Sequence, residues 1–125
     1  MPAFESLRDA RFMSLKTFRK NGDAVPTPVW FAQQGDKLYV MTLVDAGKVK
    51  RIRNNNTVEV APCDMRGNLN EGAKYIVGVA RLLPAGDEAN MANQYLNEKY
   101  GVMKRFFDLM QRAKQRVYIE ISPVD

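Results

Sequence analysis

A chain of 125 residues, 46% hydrophobic and 26% charged, has the size and composition of one globular domain that buries a core without disulfide or metal staples. One cysteine and no histidine exclude an intrachain disulfide, histidine-dependent triads and histidine general bases, and nearly every zinc-site pattern. A net charge of +5 favours an anionic partner, whether a phosphorylated small molecule, nucleic acid or an acidic membrane surface.

The start, MPAFESLRDARF, mixes acidic and basic residues and has no apolar core, so it reads as a short amphipathic helix rather than a signal peptide. No apolar run approaches the length that spans a bilayer. With the lone Cys63 this sets the cytoplasm as the expected location. From Phe12 to Lys20 large and polar residues alternate, Asn21-Gly22-Asp23 supplies turn chemistry, and VPTPVWFAQQ follows as a second strand, which predicts a β-hairpin. Pro26 and Pro28 cannot donate ladder hydrogen bonds, so this strand is expected to begin irregularly, at an edge or bulge. After a turn at Gly35-Asp36, KLYVMTLV sets Leu38, Val40 and Thr42 on one face and Tyr39, Met41 and Leu43 on the other, and completes a three-stranded meander.

Residues 45 to 56, DAGKVKRIRNNN, hold a glycine-led helix start with four cations in six positions. On helical spacing Val49 and Ile52 share a face that docks to a core, Lys48 and Arg51 share one flank, and Lys50 and Arg53 another. The first turn thus combines free backbone N–H groups, a favourable dipole and a lysine, which is what a phosphate ligand requires. A solvated basic face is the plainer reading of the same run.

Thr57 to Cys63 (TVEVAPC) reads as a fourth strand cut short by Pro62, DMRGNLNEG as a polar loop, and Lys74 to Leu83 (KYIVGVARLL) as a fifth strand. Gly78 in its middle suggests a bend or a close backbone approach. Ala89, Ala92, Leu96 and Tyr100 then recur at helical spacing, Gly101 breaks the run, and Val102, Phe106, Leu109 and Ala113 mark a second helix. Val117, Ile119 and Ile121 alternate with Tyr118, Glu120 and Ser122 as a sixth strand. The expected fold is mainly β: one domain over residues 1–125, a six-stranded antiparallel barrel with helices packed outside.

The set Thr17-Phe18-Arg19-Lys20-Asn21-Gly22, Pro26-Thr27-Pro28-Val29-Trp30-Phe31, Gly47-Lys48-Val49-Lys50-Arg51-Ile52 and Val60-Ala61-Pro62-Cys63-Asp64 resembles the pyridoxamine-phosphate-oxidase-like split-barrel superfamily. More narrowly, it resembles the deazaflavin-dependent oxidoreductase branch. The resemblance covers nearly the whole chain. It implies a six-stranded split β-barrel of the FMN-binding type, a homodimer, and a deazaflavin (F-420), or alternatively FMN or FAD, in a groove at the subunit interface.

By the same resemblance Lys48 binds the cofactor phosphate, with Lys50 and Arg51 as neighbouring cations for a phosphate or an acidic oligoglutamate tail. Thr42 hydrogen-bonds that phosphate. Thr27, Pro28, Val29 and Trp30 present backbone and an apolar wall to the ring, and Ala61, Pro62 and Cys63 line the adjacent strand. The implied reaction is hydride transfer from C5 of reduced F-420 to an electron-poor small-molecule acceptor such as an enone or quinone, with no protein nucleophile and no metal. No residue stands out as the catalytic acid. Asp45 and Ala46 stand where many flavin-binding relatives carry serine or arginine, which weighs against FMN-type phosphate binding.

Two other classes compete. A non-catalytic carrier of a cofactor, tetrapyrrole or lipid-like anion would bind without turnover. A nucleic-acid module would interleave exposed aromatics with its basic residues, whereas here the cations condense into one helix and the aromatics fall on faces that read as buried. No nucleic-acid partner is therefore expected.

Overall fold

The computed structural model describes residues 3–102, 104, 108 and 115–124. A 3-10 turn at Glu5–Leu7 leads into β1 (Phe12–Phe18), β2 (Ala24–Trp30), β3 (Ala32–Gln34), β4 (Lys37–Leu43), helix α1 (Gly47–Asn54), β5 (Thr57–Cys63), β6 (Ile76–Leu82), helix α2 (Asp87–Tyr100) and β7 (Arg116–Pro123). All strands join one antiparallel sheet in the order β2-β1-β5-β6-β7-β4-β3, curled into a split barrel. Of the expected second helix, Phe106, Leu109 and Ala113 lie outside the described residues.

The sheet has seven strands where the sequence leads one to expect six, and the difference arises within VPTPVWFAQQ. Residues 24–30 pair with β1, with Trp30 opposite Phe12, whereas residues 32–34 pair with β4, with Ala32 opposite Tyr39. Phe31 is the corner between them. One run therefore supplies both outer strands of the sheet, and the expected meander becomes two hairpins joined at that corner.

The corner is held from a distance. The Tyr100 phenol, at the end of α2, accepts from the Phe31 N–H at 2.9 Å, and its own proton has Arg11 O at 2.6 Å and Phe31 O at 2.9 Å within reach. A buried backbone that leaves a ladder must find such partners. The Trp30 and Tyr100 rings stack beside it, with centroids 4.8 Å apart and planes 14° from parallel.

Alternation along the strands fills the barrel. Met13, Leu15, Leu38, Val40, Val58, Val60, Ile119 and Ile121 point inward with Phe4, Leu7 and Phe31, and Ile52 docks α1 against the same core. Gly78 on β6 is a close approach, as its position mid-strand suggests. A Cβ there would lie 2.8 Å from Ile121 Cγ2 and 3.1 Å from Ser122 O. Outside the barrel, α2 packs Leu96 and Tyr100 against Ala32, with Trp30, Met41, Tyr95 and Tyr118 around them. This second, smaller core is where the site begins.

Candidate functional site

Between the β2 end, the β4 end and the start of α1 opens a cleft of about 220 Å³, lined by Pro28, Val29, Trp30, Met41, Thr42, Leu43, Lys48, Leu96 and Lys104. Five of the sequence candidates meet here: Pro28, Val29 and Trp30 as an apolar wall, Thr42 from the end of β4, and Lys48 from the first turn of α1. The β4-to-α1 connection is short because Val44 and Ala46 bond back to Gln115 O and Leu43 O, which brings the helix start close to Thr42.

The electrostatics of that corner favour an anion. Helix α1 has no side-chain cap and no acidic residue in its first turn, so the dipole and the N–H groups of Gly47 and Lys48 are left to a ligand. Among the described residues neither the Thr42 hydroxyl nor the Lys48 ammonium has a hydrogen-bond partner. Burial, and secondarily the Arg51 charge, pull the Lys48 pKa below the ordinary lysine value. A phosphate oxygen would supply both the missing hydrogen bond and the missing countercharge. These residues therefore fit a phosphorylated planar ligand.

Arg51 takes a different position from Lys48. Its Nε donates to the buried Thr17 hydroxyl at 2.6 Å, and its terminal nitrogens lie against Gly47, where a Cβ would sit 2.9 Å from Nη1. It reinforces the positive end of the helix and ties α1 to β1 at once. Burial, then the Arg19 charge, lower its pKa from the usual arginine value. Lys50 points to solvent.

Thr27, Ala61, Pro62 and Cys63 lie outside the cleft lining. Thr27 pairs with Leu15 on β1, while Ala61, Pro62 and Cys63 are buried on β5 opposite Ser14, Met13 and Phe12. β1 thus separates the three β5 residues from Pro28 and Trp30, whereas Thr27 is on β2 beside Pro28 and pairs towards β1 without lining the cleft. Cys63 is 4% exposed, and burial, with Asp64 beside it, pushes its thiol pKa up. The native chain should resist a thiol-reactive chromogenic reagent that labels the unfolded chain fully. Stoichiometric labelling of the folded protein would refute an inert Cys63.

Met41, Leu43, Leu96 and Lys104 are the lining residues that sequence reasoning missed. Leu96 sits on the apolar stripe of α2, where core burial is the ordinary expectation. Lys104 is fully buried, with no sequence signal to mark it, because lysines in helical stretches are ordinarily solvated. No group of three or more His, Cys, Asp or Glu side chains among the described residues is placed to hold a metal ion, and no helix among them is long and apolar enough to cross a membrane.

The family model for pyridoxamine 5'-phosphate oxidase matches residues 3–125. No curated protein matches the chain in sequence. Among solved structures, the heme storage protein HutZ from Vibrio cholerae superposes with a TM-score of 0.74 at 13% identity, covering 97% of this chain and 87% of its own. An F420 reductase gives 0.67 at 20% identity, covering 100% and 95%. A FAD-binding protein from Mesorhizobium loti gives 0.67 at 17% identity, covering 98% and 88%. Identities this low establish a shared fold only.

Proposed function

The chain belongs to the pyridoxamine 5'-phosphate oxidase family, and from that premise we propose that it is an oxidoreductase that uses reduced deazaflavin F-420 to transfer hydride to an electron-poor small-molecule acceptor. The observation that carries this reading is the cleft itself. It sets a flat apolar wall of Pro28, Val29 and Trp30 beside a hydroxyl, a half-buried lysine and an uncapped helix start. When bound, the deazaflavin supplies the hydride, so a chain without histidine is adequate.

The protein's own work is to bind, orient and exclude water. Lys48 and Thr42 hold the phosphate, and the helix dipole adds to their pull. Arg51, braced by Thr17, keeps the helix start positive, and Lys50, exposed on α1, meets an acidic tail that runs out of the cleft. Val29, Trp30 and Leu96 keep water from the ring. The reading includes a homodimer in which a second copy completes the groove over β1 and β5, bringing Thr27, Ala61, Pro62 and Cys63 to its margin, and a cytoplasmic location consistent with one unpaired cysteine. The sequence set quoted above supports F-420, and Asp45 and Ala46 weigh against FMN.

The flavin alternative keeps the same seat for the phosphate of FMN or FAD, and the FAD-binding neighbour shares this fold. A carrier without turnover is the further alternative, since the heme storage neighbour shares it too. Titration with F-420, FMN and FAD in parallel separates them. The chain's single tryptophan lines the cleft, so quenching of Trp30 fluorescence reports occupancy directly. Saturable binding of F-420, followed by turnover with an enone or quinone, is the expected result. Preference for FMN or FAD overturns the deazaflavin assignment, and binding without turnover of any acceptor favours the carrier.

The pH dependence has a definite sign. Lys48 must be protonated to meet a phosphate, and its pKa is lowered in the folded protein. Affinity for F-420 is therefore expected to fall as pH rises through that lowered value, earlier than an exposed lysine would allow, with proton uptake on binding across the same range. Affinity that stays flat to the pKa of a free lysine would refute the role.

A further inference from the structure

We propose that the backbone carbonyl of Pro28 is the acceptor that orients a ring in the cleft, so that the site selects flat ligands carrying a lactam or imide N–H. This deepens the reading of the cleft as the binding site and rests on it. The sheet register defines the cleft. Ala32 lies opposite Tyr39, and the same register continued past the Phe31 corner would set Trp30 opposite Met41 and Pro28 opposite Leu43. Those pairs do not form, because residues 24–30 pair with β1 instead. All four residues line the cleft. It is therefore the gap between two diverging strand edges, and its rims are backbone as well as side chain.

The β2 rim offers acceptors without donors. In an antiparallel pair, opposed residues alternately exchange both backbone bonds or turn their N–H and C=O groups to the far side. Pro26 and Pro28 lie opposite Lys16 and Ser14 on β1 and have no N–H to exchange, so their carbonyls turn away from β1. Pro62 obeys the same rule on β5: it lies opposite Met13, whose bonds go to β2, and its carbonyl accepts instead from the Asn70 N–H at 3.1 Å. Because β2 ends the sheet, the Pro28 carbonyl faces the open side of the strand, and no described residue donates to it.

The opposite rim differs. The Val44 N–H donates to Gln115 O at 3.1 Å, so by alternation Thr42 exchanges its bonds with β7, whereas Met41 turns both its N–H and its C=O away from β7. Met41 can meet either a donor or an acceptor on a ligand, and Pro28 only a donor. A ring that sets an oxygen against Pro28 O leaves two acceptors face to face without a hydrogen bond. A ring with an N–H there satisfies the edge. The pyrimidine edge of a deazaflavin or flavin carries such a group, and a lipid-like anion does not.

The test uses two flat tricyclic probes of the same shape, the lactam phenanthridinone and its lactone counterpart, in which a ring oxygen replaces the N–H. Titrated against Trp30 fluorescence in the unmodified chain, the lactam is expected to bind about tenfold tighter than the lactone. Isotope labelling of proline carbonyls and valine nitrogens reports the Pro28–Val29 and Pro123–Val124 junctions by NMR, and Pro28→Ala assigns the first. The Pro28 carbonyl resonance should move downfield with the lactam and not with the lactone, while that of Pro123 stays in place. Equal affinities overturn the proposal, and so does a lactam preference that leaves the Pro28 resonance unmoved. If neither probe binds, the proposal also fails. F-420 that still quenches Trp30 then leaves the reading of the cleft standing, and F-420 that does not removes both.

Discussion

Replacing Lys48 with alanine is expected to weaken F-420 binding by about 1.5–3 kcal/mol, roughly a 10- to 150-fold rise in dissociation constant. The side chain is half-buried at the start of α1, shares the cleft with Thr42 and has no countercharge among the described residues. The loss should appear in affinity and leave the unfolding midpoint in place, because no ion pair among the described residues is broken. Arg53→Ala, on an exposed position of the same helix with no binding role, is the control, and its effect should be much smaller. Comparable losses for the two would show that α1 acts as a diffuse basic face. An unchanged affinity for Lys48→Ala would remove the phosphate seat altogether.

The second large effect is on stability. Tyr100→Phe keeps the ring that stacks on Trp30 and deletes the oxygen that serves Phe31 and Arg11. The Phe31 N–H is then buried without a partner, which costs about 1–3 kcal/mol. Urea unfolding should show a lower midpoint with an unchanged slope, since the surface exposed on unfolding is the same. Burial raises the phenol pKa to about 12, so the hydroxyl remains protonated and able to donate over the whole working range of such a measurement. An unchanged midpoint would mean that water replaces the phenol and that the corner does not depend on α2. Trp30 lines the cleft, so a loosened corner should also broaden the ligand titration.

Local pattern carried much of this architecture. Alternation located the β1, β4, β5 and β7 runs, and the Gly47 start with Val49 and Ile52 on one face identified α1 and its buried side. Gly78 was legible as a close approach because only a missing side chain makes sense in mid-strand. The break at Phe31 was not legible. Nothing in VPTPVWFAQQ distinguishes one long strand from two, since the group that satisfies Phe31 lies 69 residues away on α2.

The same contrast holds for the cleft. Thr42 and Lys48 converge because each sits at the end of an element whose bounds the sequence marks, and Trp30 joins them at the Phe31 break that it does not. Lys104 was hidden, because its burial goes with partners, Asn93 and Asp108, that no local pattern marks. The distance of Ala61 and Cys63 from the β2 wall likewise follows from a sheet order that the sequence does not spell out, in which β1 stands between β2 and β5.

That sheet order also bears on how the protein is made. Among the described strands β7 comes last in sequence but lies inside the sheet, pairing with β6 on one side and β4 on the other. While residues 116–123 are still within the ribosome, the nascent chain can form only two separate pieces, β2-β1-β5-β6 and the β3–β4 hairpin, each with an unpaired edge. Contacts such as Leu38 with Ile121 span most of the chain, which makes the closing step slow and leaves those edges open to mispairing until it occurs. Barrel closure therefore waits for β7 to emerge. A pause in translation just before β7 would hold the molecule in its most aggregation-prone form, and early chaperone binding at the β6 and β4 edges would have the most to protect.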